Sequence, residues 1–266
     1  MKAGDCRENA MRQCLRIWCL LVVAGVCFAA TPVFAAHPLI TDDTGTQGRG
    51  KFQLEVNGDF SRDSDNGAVI KVTGVGATLT YGIIDTLDAA VGLPYQHIRV
   101  RTDDGSLGES GLSDIVLYLK WRFYETEGFS LALKPGVTLP TGDEDKGLGT
   151  GRATYSLFFI ATKELKPLTF HLNLGYIRNE NAFDERKDLW HASLAGEIGV
   201  AKQLRLVANG GIEHNPDRTA GVDPAFILGG FIYAVSENLD IDAGIKFGLN
   251  RAEADYQLLA GITYRF

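Results

Sequence analysis

From Lys51 to Phe266, apolar and polar residues alternate one for one in twelve successive segments. The clearest is 113–123, where Ile115, Leu117, Leu119, Trp121 and Phe123 oppose Asp114, Tyr118, Lys120 and Arg122. In 239–249, Leu239, Ile241, Ala243, Ile245, Phe247 and Leu249 oppose Asp240, Asp242 and Lys246. A period of two sends alternate side chains to opposite faces of an extended strand. The other segments are 51–60, 72–81, 87–97, 129–139, 153–162, 168–177, 189–200, 204–213, 224–235 and 254–266, of which 153–162 and 224–235 carry apolar residues on both faces. No helical pattern separates any pair, so neighbouring strands are expected to pair antiparallel.

Such a pattern serves either a soluble sandwich or a transmembrane barrel. Three features favour the barrel. The segments run to about 10–12 residues, the length of a tilted membrane-spanning strand, against about 5–6 for an ordinary soluble strand. Aromatic residues sit near segment ends, among them Phe52, Tyr81, Tyr95, Trp121, Tyr176, Trp190 and Phe266, as interfacial girdles require. Short connections such as 82–85, 125–128, 163–167, 201–203 and 236–238 alternate with longer ones at 61–70, 98–112, 140–152, 178–188, 214–223 and 250–254. The expected fold is an all-β, transmembrane, antiparallel up-and-down β-barrel of 12 strands. An unpaired edge in hydrocarbon leaves backbone groups unsatisfied at several kcal/mol each, so the last strand must close on the first. The terminal "TYRF" then needs no polar tail. It also has the aromatic ending read by the barrel assembly machinery, which is an expected partner through the Phe266 strand.

Residues 1–36 read as a cleaved signal peptide: Arg12 and Arg16 precede the apolar run 17–30, and Val33 and Ala35 suit the cleavage site. Residues 37–266 are then the outer-membrane barrel domain, with 37–50 as a short periplasmic N-terminal arm. All four cysteines lie in the leader, at Cys6, Cys14, Cys19 and Cys27, so the exported chain has no thiolate chemistry. The chain carries a net charge of −7, and its acidic balance argues against nucleic acid as a partner. Outer-membrane lipid and a small-molecule solute are the partners the pattern implies.

On this reading the polar face lines the lumen. Candidate pore-lining residues are Glu55, Asp88, Lys120, Arg122, Lys134, Glu197, Arg205, Glu213, Asp242 and Lys246. They would set solute selectivity, or would pair with one another and fill a narrow barrel. Inward glycines leave space and lean toward a channel. The loop 141–151 holds Asp143, Glu144 and Asp145 without the spacing of a calcium loop, so no metal and no cofactor is expected. His171 and Ser193 fall on adjacent strands with both side chains inward. A lipid hydrolase would need them on the lipid face, so no catalytic residue is assigned and no enzyme is expected.

Four stretches, "HPLITDDTGTQGRGKFQLE" (37–55), "YGIIDTLDAAVGLPY" (81–95), "GLSDIVLYLKWRF" (111–123) and "LKPGVTLPTGDEDKGLGTG" (133–151), resemble the family named for the meta (MetA) pathway of phenol degradation. Its members are described as transporters. The family is similar to the functional-amyloid secretion channels, twelve-stranded pores with an N-terminal periplasmic coiled coil. Residues 37–50 contain no heptads and depart from that pattern. The resemblance implies an outer-membrane channel passing small solutes passively, aromatic or hydrophobic compounds among them. The alternative is a non-conducting barrel that presents 98–112 and 140–152 at the cell surface.

Overall fold

The computed structural model describes residues 37–65, 68–102 and 105–266; the expected signal peptide lies outside the described residues. Thirteen strands follow in order: β1 Phe52–Asp65, β2 Ala68–Ile84, β3 Leu87–Thr102, β4 Gly105–Leu112, β5 Ile115–Thr126, β6 Phe129–Leu139, β7 Thr154–Leu165, β8 Leu168–Arg178, β9 Asp188–Ala201, β10 Leu204–Glu213, β11 Ala225–Ala234, β12 Leu239–Gly248 and β13 Tyr256–Arg265. Consecutive strands pair antiparallel except β4 and β5, and β13 pairs with β1. Strand β3 pairs with β4 along its upper part and with β5 along its lower part. Thus β4 and β5 are one wall strand broken at Ser113–Asp114, and the closed barrel has 12 strands, as the periodicity predicted.

Closure joins the two ends of the sheet. Phe52 and Phe266 exchange backbone hydrogen bonds of 2.8 and 2.9 Å, and their rings stack at 5.5 Å. Tyr81 and Tyr264 extend this cluster. It forms part of one aromatic girdle at the short-turn end; Tyr155, Tyr176 and Trp190, exposed near the opposite ends of their strands, belong to the other.

The faces sort as the alternation required. Leu119, Leu172, Leu194 and Ile241 point outward, while Asp88, Lys120, Glu197 and Asp242 are enclosed. An apolar exterior around a polar interior is the arrangement that lipid selects. The two segments with blurred faces have a specific cause. Ile160 on β7 and Phe226, Leu228 and Ile232 on β11 are inward and buried, and Ile232 with Val207 packs against Leu39 of the N-terminal arm.

Two connections differ from expectation. Residues expected in the loops 61–70 and 98–112 instead extend β1 and β2 and build the upper β3–β4 hairpin. Most of the β4 side chains are exposed, so both faces of this hairpin are wet and the apolar–polar alternation fades. The connection 140–152 does not pair in the sheet but is pinned to the break in the wall. Asp114 accepts from Gly142 N and Thr150 N, each at 2.8 Å, and from Thr150 Oγ1 at 2.9 Å. Leu148 is buried there, beneath a single 3-10 turn at Glu144–Lys146.

Candidate functional site in the barrel lumen

The arm 37–50, expected as a short periplasmic segment, is folded into the lumen. Its course can be followed from its bonds. His37 Nδ1 meets Asp242 Oδ1 at 2.6 Å near the short-turn end of β12. The chain then rises to mid-height, where Asn209 Oδ1 on β10 accepts from the backbone N–H groups of Ile40 and Thr41, at 2.8 and 3.0 Å. There it crosses to β5 and β6 and descends. Thr44 N donates to Thr162 Oγ1 at 3.2 Å, Thr46 Oγ1 to the Asp85 carbonyl at 2.7 Å, and Gln47 N to Asp88 Oδ2 at 3.0 Å. Thr41, Asp43, Thr44 and Thr46 are buried. A segment of small polar residues suits this position, because it satisfies inward side chains through its own backbone.

The arm occupies part of the spare room expected around inward glycines, while Gly76 and Gly199 still face open space. A Cβ on Gly230 or Gly244 would lie 2.8 or 2.9 Å from ring atoms of Pro38. These glycines bring the arm against the wall and do not widen a pore.

The crossing point gathers four charged groups. Tyr118 pairs with Gly136 and Trp121 with Leu133, which sets Lys120 opposite Lys134 across β5 and β6. Like charges in that position repel. Asp42 bridges them, with Oδ1 3.2 Å from Lys120 Nζ and Oδ2 2.7 Å from Lys134 Nζ. Asp43 lies 3.4 Å from Lys120 Nζ. Lys134 Nζ also stands 4.2 Å from the centroid of the Tyr118 ring, within cation–π range. Burial pushes the Asp42 carboxyl up, but the two lysines outweigh it and hold the group well below the usual carboxylate range. For Asp43 burial prevails over the attraction of Lys120, and its carboxyl is raised.

Beside the arm lies a cavity of about 200 Å³, lined by Glu55, Tyr118, Lys120 and Lys134 together with Ile40 and Asp42 of the arm. Three of the sequence-predicted lining residues, Glu55, Lys120 and Lys134, are thus brought together. The others lie in separate groups. Glu197 and Arg205 belong to a chain of ion pairs, Arg205 Nη1 to Glu197 Oε2 at 3.0 Å, Arg205 Nη2 to Asp240 Oδ2 at 3.7 Å and Arg265 Nη2 to the same oxygen at 3.0 Å, with His171 Nε2 3.3 Å from Glu197 Oε1. Arg122 pairs with Glu125 at 3.2 Å, and Asp88 holds Gln47. Glu213 lies 3.4 Å from His191 Nδ1, and Lys246 pairs with Glu253 at 3.0 Å. Asp242 is held by His37.

Ser193 bonds with His191 Nε2 at 2.9 Å, not with His171, whose Nδ1 lies 2.9 Å from Thr162 Oγ1. The Ser193 hydroxyl also accepts from Thr41 Oγ1 at 2.8 Å and is buried under the arm. The described residues contain no group of three or more His, Cys, Asp or Glu arranged to hold a metal ion. What sequence reasoning missed is Asp42, Asp43, Thr41 and Asn209. The available signal was two inward lysines, Lys120 and Lys134, on consecutive strands that together hold one carboxylate, Glu125.

A closed 12-strand barrel with an apolar exterior and a charged interior is an outer-membrane β-barrel. A family model described as "Putative MetA-pathway of phenol degradation" matches residues 38–266, and the chain belongs to that family. No curated protein matches it. Among solved structures, the NanC porin superposes with a TM-score of 0.55 at 9% identity, covering 79% of this chain and 98% of that one. The KdgM porin gives 0.53 at 7% identity, covering 80% and 99%. The translocator domain of the autotransporter NalP from Neisseria meningitidis gives 0.51 at 14%, covering 99% and 98%. At these identities the likeness is one of fold.

Proposed function

We propose that the chain is an outer-membrane channel for passive passage of small solutes, aromatic or hydrophobic compounds among them. The observation that carries this reading is the cavity beside the arm, bordered by Glu55, Lys120 and Lys134 at mid-height in a polar lumen. The solute class rests on the description of the family. In this reading residues 1–36 are the cleaved leader, the Phe266 strand is read by the barrel assembly machinery, and the lumen residues select solutes without catalysing a reaction. The ten lining candidates divide between the arm's docking wall and the paired charges around it.

Planar-bilayer recording tests the reading. Current steps are expected from the folded chain, and larger ones from a variant lacking 37–46. One observation favours a second reading, a non-conducting barrel presenting the 98–112 hairpin and the 140–152 loop: the arm fills much of the lumen. Absence of current from both proteins would establish that alternative.

A further inference from the structure

The arm carries two carboxylates to a pair of wall lysines. Among the described residues, the ion pairs of Lys120 and Lys134 all go to the arm, whereas the neighbouring Arg122 is paired on its own strand with Glu125. The two lysines are held opposite each other by the β5–β6 register, and both ammonium groups reach the carboxylate of Asp42, with Asp43 adding a longer contact to Lys120. The Tyr118 ring lies at the same place. The arm's other anchors include hydrogen bonds to Asn209, Ser193, Thr162, Asp85 and Asp88 and the His37–Asp242 contact. Asp42 is its link to the opposed lysines.

We infer that Lys120, Lys134 and Tyr118 form a lumenal site for a small monocarboxylate with an aromatic or apolar body, that Asp42 fills this site as an internal stand-in, and that the incoming carboxylate displaces it and frees the arm. The inference rests on the channel reading and specifies its solute. A carboxylate is the chemistry already seated between the two Nζ atoms, and charge-assisted bonds to both are the strong kind. Glu55 and Asp88 remain on the same wall and disfavour a second negative charge on the ligand. The Tyr118 face offers a surface for an aromatic or apolar body. Because Asp42 and the ligand require the same atoms, the ligand binds only the arm-free state. That difference in affinity is what a shift of the equilibrium requires.

Isothermal titration calorimetry of the folded protein in detergent micelles, with benzoate and its uncharged isostere benzamide, tests the site without any current. Benzoate is expected to bind and benzamide not to. Asp42→Asn removes the internal competitor and is expected to tighten benzoate binding by about ten-fold. Lys120→Gln with Lys134→Gln is expected to abolish it. Equal binding of the two compounds, or unchanged or weaker benzoate binding by Asp42→Asn, would overturn the inference. The single variant decides the matter even if the double variant fails to fold. A chain that conducts but fails these titrations loses the site and keeps the channel; one that binds benzoate but never conducts loses the channel.

Discussion

Asp42 and Lys134 stand 92 residues apart in sequence and are joined inside the barrel by a 2.7 Å charge-assisted hydrogen bond. Across the ladder Lys120 takes the other oxygen of the same carboxylate. The arm is therefore fixed at mid-lumen by a charge bridge, and the wall strands β5 and β6 carry an opposed lysine pair that depends on it. The docked position of the arm should turn on this joint.

Reversing both lysines tests it directly. Lys120→Glu with Lys134→Glu places Asp42 among like charges, so the arm should leave and the lumen turn anionic. Reversal potentials in a KCl gradient should shift toward cations by roughly a factor of ten in permeability ratio. An unchanged potential would place these residues away from the ion path.

Docking of the arm should depend on pH in two opposing ways. The Asp42 carboxyl is held down when docked, so its contribution is complete above the ordinary aspartate value and is lost as pH falls through the lowered one. The Asp43 carboxyl is raised when docked, so its contribution is complete below the ordinary value and is lost as pH rises through the raised one. Docking should be tightest near pH of about 4 and weaken on either side. Open probability recorded across pH should pass through a minimum there; a monotonic profile would contradict the assignment.

A steric change should free the arm without altering any charge. Gly244→Leu drives a side chain into the space of Pro38. Single-channel conductance should rise while the KCl reversal potential moves less than in the lysine reversal. Conductance equal to that of the unaltered chain would mean that Pro38 yields locally.

The outer face makes a separate demand. Leu172 and Leu194 pair across β8 and β9 with both side chains outward. Leu194→Arg near mid-strand should cost about 2–4 kcal/mol in urea unfolding from phospholipid vesicles. A cost below 0.5 kcal/mol, on the order of a surface substitution in water, would remove this position from the hydrocarbon.

Phe266→Ala removes one ring from the closing cluster of Phe52, Tyr81 and Tyr264. The lost ring pairing should cost about 1 kcal/mol in the same vesicle assay. The backbone bonds to Phe52 remain possible, so the folded barrel should still form, with slower assembly in cells if the terminal ring is read by the assembly machinery.

The spanning strands were legible because lipid outside and polar groups inside impose a period of two over their whole length. Ile115 to Phe123 shows it most plainly. Above the membrane that constraint ends. Residues 105–112 are almost all exposed, so their pairing with β3 left no apolar alternation to read. The arm was illegible for another reason. Ile40, Thr41, Thr44 and Gln47 each engage the wall through a backbone N–H group, and every residue but proline carries one. The lining residues could be assigned to a face by parity. Their division into a docking site and a self-paired network depends on distances between strands far apart in sequence.

The arm runs directly into β1, and β1 is the strand that receives the C-terminal Phe266. Sealing the cylinder and filling it therefore draw on the same stretch of chain. Once Phe52 and Phe266 are zipped together, an arm left outside has only the short-turn mouth through which to reach Asn209. The order of events during assembly, insertion of the arm before the seam shuts or after it, is consequently written into the sixteen residues from His37 to Phe52.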